Sequence, residues 1–191
     1  MSDLADEHSS TRQRILSATA EVLGRNGTTK LSLSDVATEA QVSRPTLYRY
    51  FADKQVLLDE FAVWERRLYE RAIAEATAEV PAAQKLDAAL QVIVRYQLSY
   101  PGLRMVDVEP DQVIRRVARI IPLMRERLQR LCTGNDSGLS AATAVRVAIS
   151  QYLVHSDDSA DFLAQLRHAA CVTQFAPPPR HAAPDADGRC G

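Results

Sequence analysis

Apolar residues recur at spacings of three, four and seven along most of this chain, the period of an α-helix, and predict an all-α protein of about nine helices. The first helix is read from Thr11 to Arg25. Ile15, Ala18 and Val22 form one inward row, and Leu16, Ala20 and Leu23 form the row beside it. Asn26-Gly27 ends it, because Gly27 can take φ > 0. Ser32-Leu33-Ser34-Asp35 has the S-x-x-D form of a capping box, and Leu31 and Val36 can close a hydrophobic staple around it. Leu33, Val36, Ala37 and Ala40 then give a two-turn helix with one buried stripe. Gln41-Val42 makes a turn and Ser43 caps a third helix, Arg44 to about Phe51, with Pro45 in the first turn, where a missing N–H is tolerated. At about 100° per residue, Leu47 and Phe51 point one way; Pro45, Thr46 and Arg49 lie on the opposite face, with Tyr48 on the flank.

The pattern continues through the rest of the chain. A helix from Lys54 to about Glu79 carries Leu57, Phe61, Trp64 and Leu68 as its inward stripe and Glu60, Glu65, Arg66, Arg67, Glu70 and Arg71 on its wet face. The next spans about Ala82 to Tyr100, with Leu86, Leu90, Ile93 and Leu98 inward, and Pro101-Gly102 breaks it. A short helix or loop covers Leu103 to Val108. Pro110 starts a helix reaching about Cys132, with Val113, Val117, Ile120, Met124, Leu128 and Leu131 inward, which Pro122 should kink or divide. Residues 133–138 read as a loop. The helix from Leu139 to His155 is apolar nearly all round and is expected to be covered on two sides, by its own domain and by a twin subunit. Ser156 to Ser159 cap a last helix, about Ala160 to Thr173, with Phe162, Leu163, Leu166 and Ala170 on one face. Residues 1–9 and the proline-rich tail 176–191 are expected to be disordered.

Composition adds exclusions. The 191 residues have a formal net charge of -1, 46% hydrophobic residues and 25% charged residues, ordinary for a globular protein. No apolar run is long enough to cross a membrane. The polar, acidic first ten residues are not expected to act as a secretion signal. Cys132, Cys171 and Cys190 form no CxxC pair and are read as reduced thiols of a cytoplasmic protein. His8, His155, His168 and His181 have no metal-ligand spacing. There is no phosphate-binding glycine loop, HExxH or G-x-S-x-G, so neither an enzyme, a metal nor a cofactor is expected.

Charge is unevenly placed. Between Ser9 and Lys54 stand seven cations (Arg12, Arg14, Arg25, Lys30, Arg44, Arg49, Lys54) and four acids (Glu21, Asp35, Glu39, Asp53). This basic quarter on a neutral body suits a polyanion-binding module. The third helix, with Pro, Thr and Arg outward, could read base edges in a major groove. Asp53 caps the fourth helix and puts Lys54 at its first position, where a cation opposes the helix dipole unless a phosphate also binds there.

The run from Thr11-Arg12-x-x-Ile15 through Leu31-Ser32-Leu33-Ser34-Asp35-Val36-Ala37 to Val42-Ser43-Arg44-Pro45-Thr46-Leu47-Tyr48-Arg49-Tyr50-Phe51-Ala52-Asp53-Lys54 resembles the DNA-binding domain of the tetracycline-repressor (TetR) family. It covers about a quarter of the chain. Gln41 replaces the usual glycine of the turn, and Pro45 replaces a glycine of the third helix.

The resemblance implies an N-terminal three-helix helix-turn-helix domain over 10–54 and a ligand-binding and dimerisation domain over 55–175. It implies a homodimeric repressor of a palindromic operator, released by a small, apolar effector. Arg44, Pro45, Thr46 and Arg49 would meet base edges or nearby phosphates. Tyr48 and Lys54 would hold phosphates, and Thr29 and Ser32 could add phosphate donors. The effector pocket would be lined by Trp64, Leu68, Tyr96, Tyr100, Met105, Val117, Ile121 and Met124. The dimer interface would comprise Val145, Ala148, Ile149, Tyr152, Phe162, Leu163 and Leu166. A ligand-independent regulator or activator with the same head is the alternative. A helical enzyme or pure interaction module, which would turn over a substrate without binding DNA specifically, is a third.

Overall fold

The computed structural model describes residues 2–99, 105–132, 136–154 and 159–170. The order is α1 (Ser2–Lys30), α2 (Leu33–Glu39), α3 (Arg44–Tyr50), α4 (Lys54–Ala78), α5 (Ala82–Ser99), α6 (Met105–Val108), α7 (Pro110–Gln129), α8 (Ser137–Leu153) and α9 (Ser159–Ala169). Among the described residues there is no strand. The tail and Tyr100 lie outside them.

Local chemistry sets the first three helices. α1 starts at Ser2, not Thr11, so residues 2–9 are helical where disorder is expected. Gly27, at φ 70° and ψ 178°, interrupts α1 at the predicted stop, and a short helical stretch follows to Lys30. Ser32 Oγ accepts from the Asp35 amide at 3.1 Å, closing the cap of α2. Gln41 sits at φ 53° in the turn, a left-handed conformation that costs about 1 kcal/mol for a residue with a Cβ.

Two apolar cores result. The first joins Ile15, Leu16, Val22 and Leu23 of α1 to Val36, Leu47, Phe51, Leu57 and Phe61, and extends through Met105, Val113 and Val117. The head is therefore not a separate bead: α6 and the start of α7 share its core. The second core, in the body, gathers Leu86, Leu90 and Ile93 of α5, Leu128 of α7, Val145 and Ala148 of α8, and Phe162 and Leu166 of α9.

Three predicted inward residues face out instead. Leu68, Leu98 and Ile120 are each more than two-fifths exposed. α7 runs on as one helix through Pro122, whose flank is exposed.

Asp87 of α5 ties to α9 by a two-pronged contact with Arg167, Nε to Oδ1 at 2.6 Å and a terminal nitrogen to Oδ2 at 3.0 Å. The Arg167 hydrogen bonds hold the Asp87 pKa below its ordinary value; burial opposes this, and Gln91 and the Arg167 charge assist. A lowered folded-state pKa contributes stability above the unfolded value, about 3.9, and loses it as pH falls through the folded value. Asp87→Asn should therefore lower the urea midpoint at pH 6, by an amount equivalent to about 1 kcal/mol, and much less at pH 3. An equal loss at both pH values would show that the charge is irrelevant.

Candidate nucleic-acid interface

α3 is a seven-residue rod held at both ends. Ser43 Oγ accepts from the Thr46 amide at 3.1 Å and lies 2.8 Å from the Thr46 hydroxyl. Pro45 fills the first turn without losing a hydrogen bond. Leu47 and Phe51 are fully buried against α1 and α2. With those anchors fixed, Arg44, Pro45, Tyr48 and Arg49 are exposed and Thr46 is half-buried. The Arg49 guanidinium lies 5.4 Å from the Tyr50 ring centre, which limits its swing. Arg12 lies 5.8 Å from the Phe51 ring centre and pairs with Glu60 of α4.

Lys54 and Thr29 come together. Asp53 caps α4 by accepting from the Val56 amide at 2.9 Å, and Lys54 Nζ donates to the Thr29 carbonyl at 3.0 Å. The first turn of α4 thus meets the corner that follows Gly27. The Thr29 amide is already committed within the chain: it donates to Glu109 Oε1 at 2.7 Å, while the Thr28 amide donates to Oε2 at 2.7 Å. Thr29 therefore has no free amide for a phosphate. Ser32 is half-buried and serves as the α2 cap. The exposed cations Arg44 and Arg49, with Tyr48 beside them, make a polyanion-facing surface on a short, internally anchored helix.

Residues 15–61, which span all of α2 and α3, match the family described as bacterial regulatory proteins, tetR family. These residues form a tetR-family DNA-binding domain. The chain is 26% identical over 161 residues to the HTH-type transcriptional regulator BetI of Agrobacterium fabrum, covering 78% of each. It is 28% identical over 109 residues to the HTH-type transcriptional regulator UidR of Escherichia coli K12, covering 57% of this chain and 54% of that one. In fold it resembles a TetR-family transcriptional regulator from Streptomyces coelicolor, at TM-score 0.66 and 21% identity, over 85% of this chain and 95% of the other. A TetR-like regulator from Rhodococcus sp. RHA1 gives TM-score 0.62 and 20% identity, over 84% and 93%. The chain thus carries a helix-turn-helix DNA-binding domain, and the relatives and neighbours named here are transcriptional regulators. No described helix is long and apolar enough to cross a membrane, and no described group of His, Cys, Asp or Glu could hold a metal.

The residues expected to line an effector pocket fall in several places, and Tyr100 lies outside the described residues. Leu68 is 44% exposed. Met105 and Val117 are consumed by the core shared with the head, and Trp64 and Ile121 pack against it. Tyr96 is half-buried and donates from its hydroxyl to Glu65 Oε1 at 3.1 Å. Met124 alone of the expected set lines a cleft of about 320 Å³ between α4, α5 and α7, with Tyr69, Ile73, Ala89, Ile93 and Leu128. Burial raises the Tyr69 pKa, and the nearby Arg127 opposes this. Arg127 pairs with Glu70 at the same cleft.

The residues expected at a dimer interface are largely covered within the chain. Val145, Ala148, Phe162 and Leu166 are buried inside the protomer, and Ile149 and Leu163 are partly buried against the same core. Tyr152 packs toward the first core, where burial raises its pKa and Arg116 opposes the rise. The pairing of α8 with α9 within the chain buries the row that the pattern marked as apolar. Its opposite edge, Leu139, Thr143, Arg146, Ser150 and Val154, is exposed.

Two residues with structural roles escaped the sequence reading. Glu65 is buried, not wet: it accepts from Tyr96 and pairs with Arg116 of α7. Glu109 reaches 80 residues back to Thr29. Neither has a local signal, since each partner is brought by tertiary packing.

Proposed function

We propose that this chain is a TetR-family regulator, a cytoplasmic homodimeric repressor that binds a palindromic operator and is released by a small, apolar ligand. The observation carrying the reading is the outward row Arg44, Pro45 and Arg49 on a helix whose opposite side, Leu47 and Phe51, is wholly buried. A helix so anchored suits the major groove, and two copies suit mirror-related half-sites about one DNA turn apart. The exposed edge of α8, with Leu139 68% and Val154 73% exposed, offers a face for a second copy. The α4–α5–α7 cleft has the size of a small-molecule site and an apolar lining, which favours a ligand-released regulator over a ligand-independent one. Footprinting on genomic fragments selected by the purified chain tests the reading. A protected palindrome is the expected result, and protection without mirror-related halves would refute it.

In this reading Lys54 contacts the DNA backbone, exchanging its bond to Thr29 for one to a phosphate. Lys54→Ala should weaken binding about equally on every DNA sequence and reduce the salt slope by about one ion. Titrations of the variant on operator and random duplex at several salt concentrations would check this. Relaxed sequence preference at full affinity would assign Lys54 to base reading instead.

A further inference from the structure

The head and the body meet through contacts of two kinds. One is apolar: Met105 of α6, with Val113 and Val117 of α7, completes the head's own core. Such contacts attract without fixing direction. The other is directional. Glu109, the residue just before α7, places one carboxylate oxygen on the Thr28 amide and the other on the Thr29 amide, both at 2.7 Å. These amides point the same way because Gly27, at φ 70°, starts a new turn there, and the first amides of a turn have no helical acceptor of their own. Gly27 also makes room. A Cβ at this position would stand 2.7 Å from Glu109 Cδ and 2.8 Å from Cγ. On the other side of the corner, Lys54 Nζ holds the Thr29 carbonyl at 3.0 Å. One corner of the head is thus gripped by the body through Glu109 and by the start of α4 through Lys54.

We infer that Glu109 is a positioning residue for DNA binding: its carboxylate on the Thr28 and Thr29 amides fixes the angle at which each body holds its reading head, and so the separation of the two heads. This rests on the paired-head reading proposed above. Charge-assisted hydrogen bonds to both oxygens define an orientation that sliding apolar groups cannot. Burial by itself would raise the Glu109 pKa, but the hydrogen bonds from Thr29 and Thr28 together outweigh it and keep the pKa below its ordinary value, so the carboxylate is charged at neutral pH. A shift of α6 and α7 in the body would act on the head through this contact.

The test uses the full chain and a palindromic duplex selected from random DNA by the wild-type protein. That duplex is compared with a single half-site and with the palindrome bearing two inserted central base pairs. Glu109→Gln keeps the shape but offers a donor where an amide needs an acceptor; Glu109→Ala removes the contact; Gly27→Ala crowds it. All three should lose about tenfold in affinity for the intact palindrome and stay within twofold of wild type on the half-site. Their discrimination against the inserted palindrome should shrink by a similar factor. Hydrogen exchange at the Thr28 and Thr29 amides should quicken in each. Equal losses on palindrome and half-site would reduce Glu109 to a local prop of the head and overturn the proposal, as would unchanged binding with faster exchange. If wild type itself binds the half-site as well as the palindrome, the paired-head reading fails first, and the variants are not needed to show it.

Discussion

Phe51→Ala is expected to lower stability by about 3–5 kcal/mol, the cost of removing a large buried aromatic and leaving a cavity. Phe51 is fully buried at the end of α3, with the Arg12 guanidinium 5.8 Å from its ring centre and the Tyr50 ring 6.4 Å away. It is one of two anchors of a seven-residue helix, and a helix that short does not persist without packing. A domain is typically stable by only 5–15 kcal/mol, so this loss removes a large part of the whole. Because the same core takes in Met105, Val113 and Val117, the damage should reach the body, and the denaturant midpoint of the whole chain should fall. Tyr48→Ala is the matched control. Tyr48 is 53% exposed, so its truncation should change stability by less than about 0.5 kcal/mol while still weakening DNA binding. Urea unfolding followed by circular dichroism, beside fluorescence anisotropy on operator DNA, separates the two effects. A Phe51→Ala protein with an unchanged midpoint would show that α3 is not anchored as described.

Arg116→Met is expected to cost about 2 kcal/mol, and Glu65→Leu in the same chain to recover most of it. Glu65 lies among α4, α5 and α7 with its side chain 11% exposed, held by Arg116 and by the Tyr96 hydroxyl. Removing Arg116 leaves a nearly buried carboxylate with the phenol, and an uncompensated buried charge is the costly outcome. The Arg116 side chain is 38% exposed, which keeps the expected loss below that of a fully buried pair. Replacing both partners by apolar groups removes the desolvation problem together with the attraction, so the double variant should approach wild type. Unfolding of the two single variants and the double closes the cycle. Purely additive losses would mean that the two charges do not interact in the folded chain.

How much of this was legible in the sequence depended on the range of the interaction. The caps of α2 and α3 were readable because Ser32 and Ser43 bond to amides three residues ahead. The stop at Gly27 and the turn at Gln41 were readable because backbone conformation is a property of one residue and its neighbours. The buried rows of α1 were readable because Ile15, Leu16, Ala18, Ala20, Val22 and Leu23 are all covered. In the body the same periodicity misled. It marked Leu68 as inward and Glu65 as wet, although Glu65 is buried and Leu68 is not. Hydrophobic period gives the faces of a helix but not which neighbour covers them, and a charged side chain can be buried when a partner arrives from elsewhere. The row from Val145 to Tyr152 was correctly read as requiring cover, but α9 and the other helices of the same chain supply most of it.

Sequence alone thus determined the N-terminal helix-turn-helix domain: its three helices, the caps of α2 and α3, the two anchors of α3 and the residues it turns outward. Every one of those features is specified within about forty consecutive residues, where spacing and local hydrogen bonds suffice. Only the tertiary structure decided how that head is carried. The grip of Glu109 on Thr28 and Thr29, the Glu65–Arg116 pair and the cleft beside Met124 join residues far apart in the chain, and no local propensity encodes which distant helix arrives beside which.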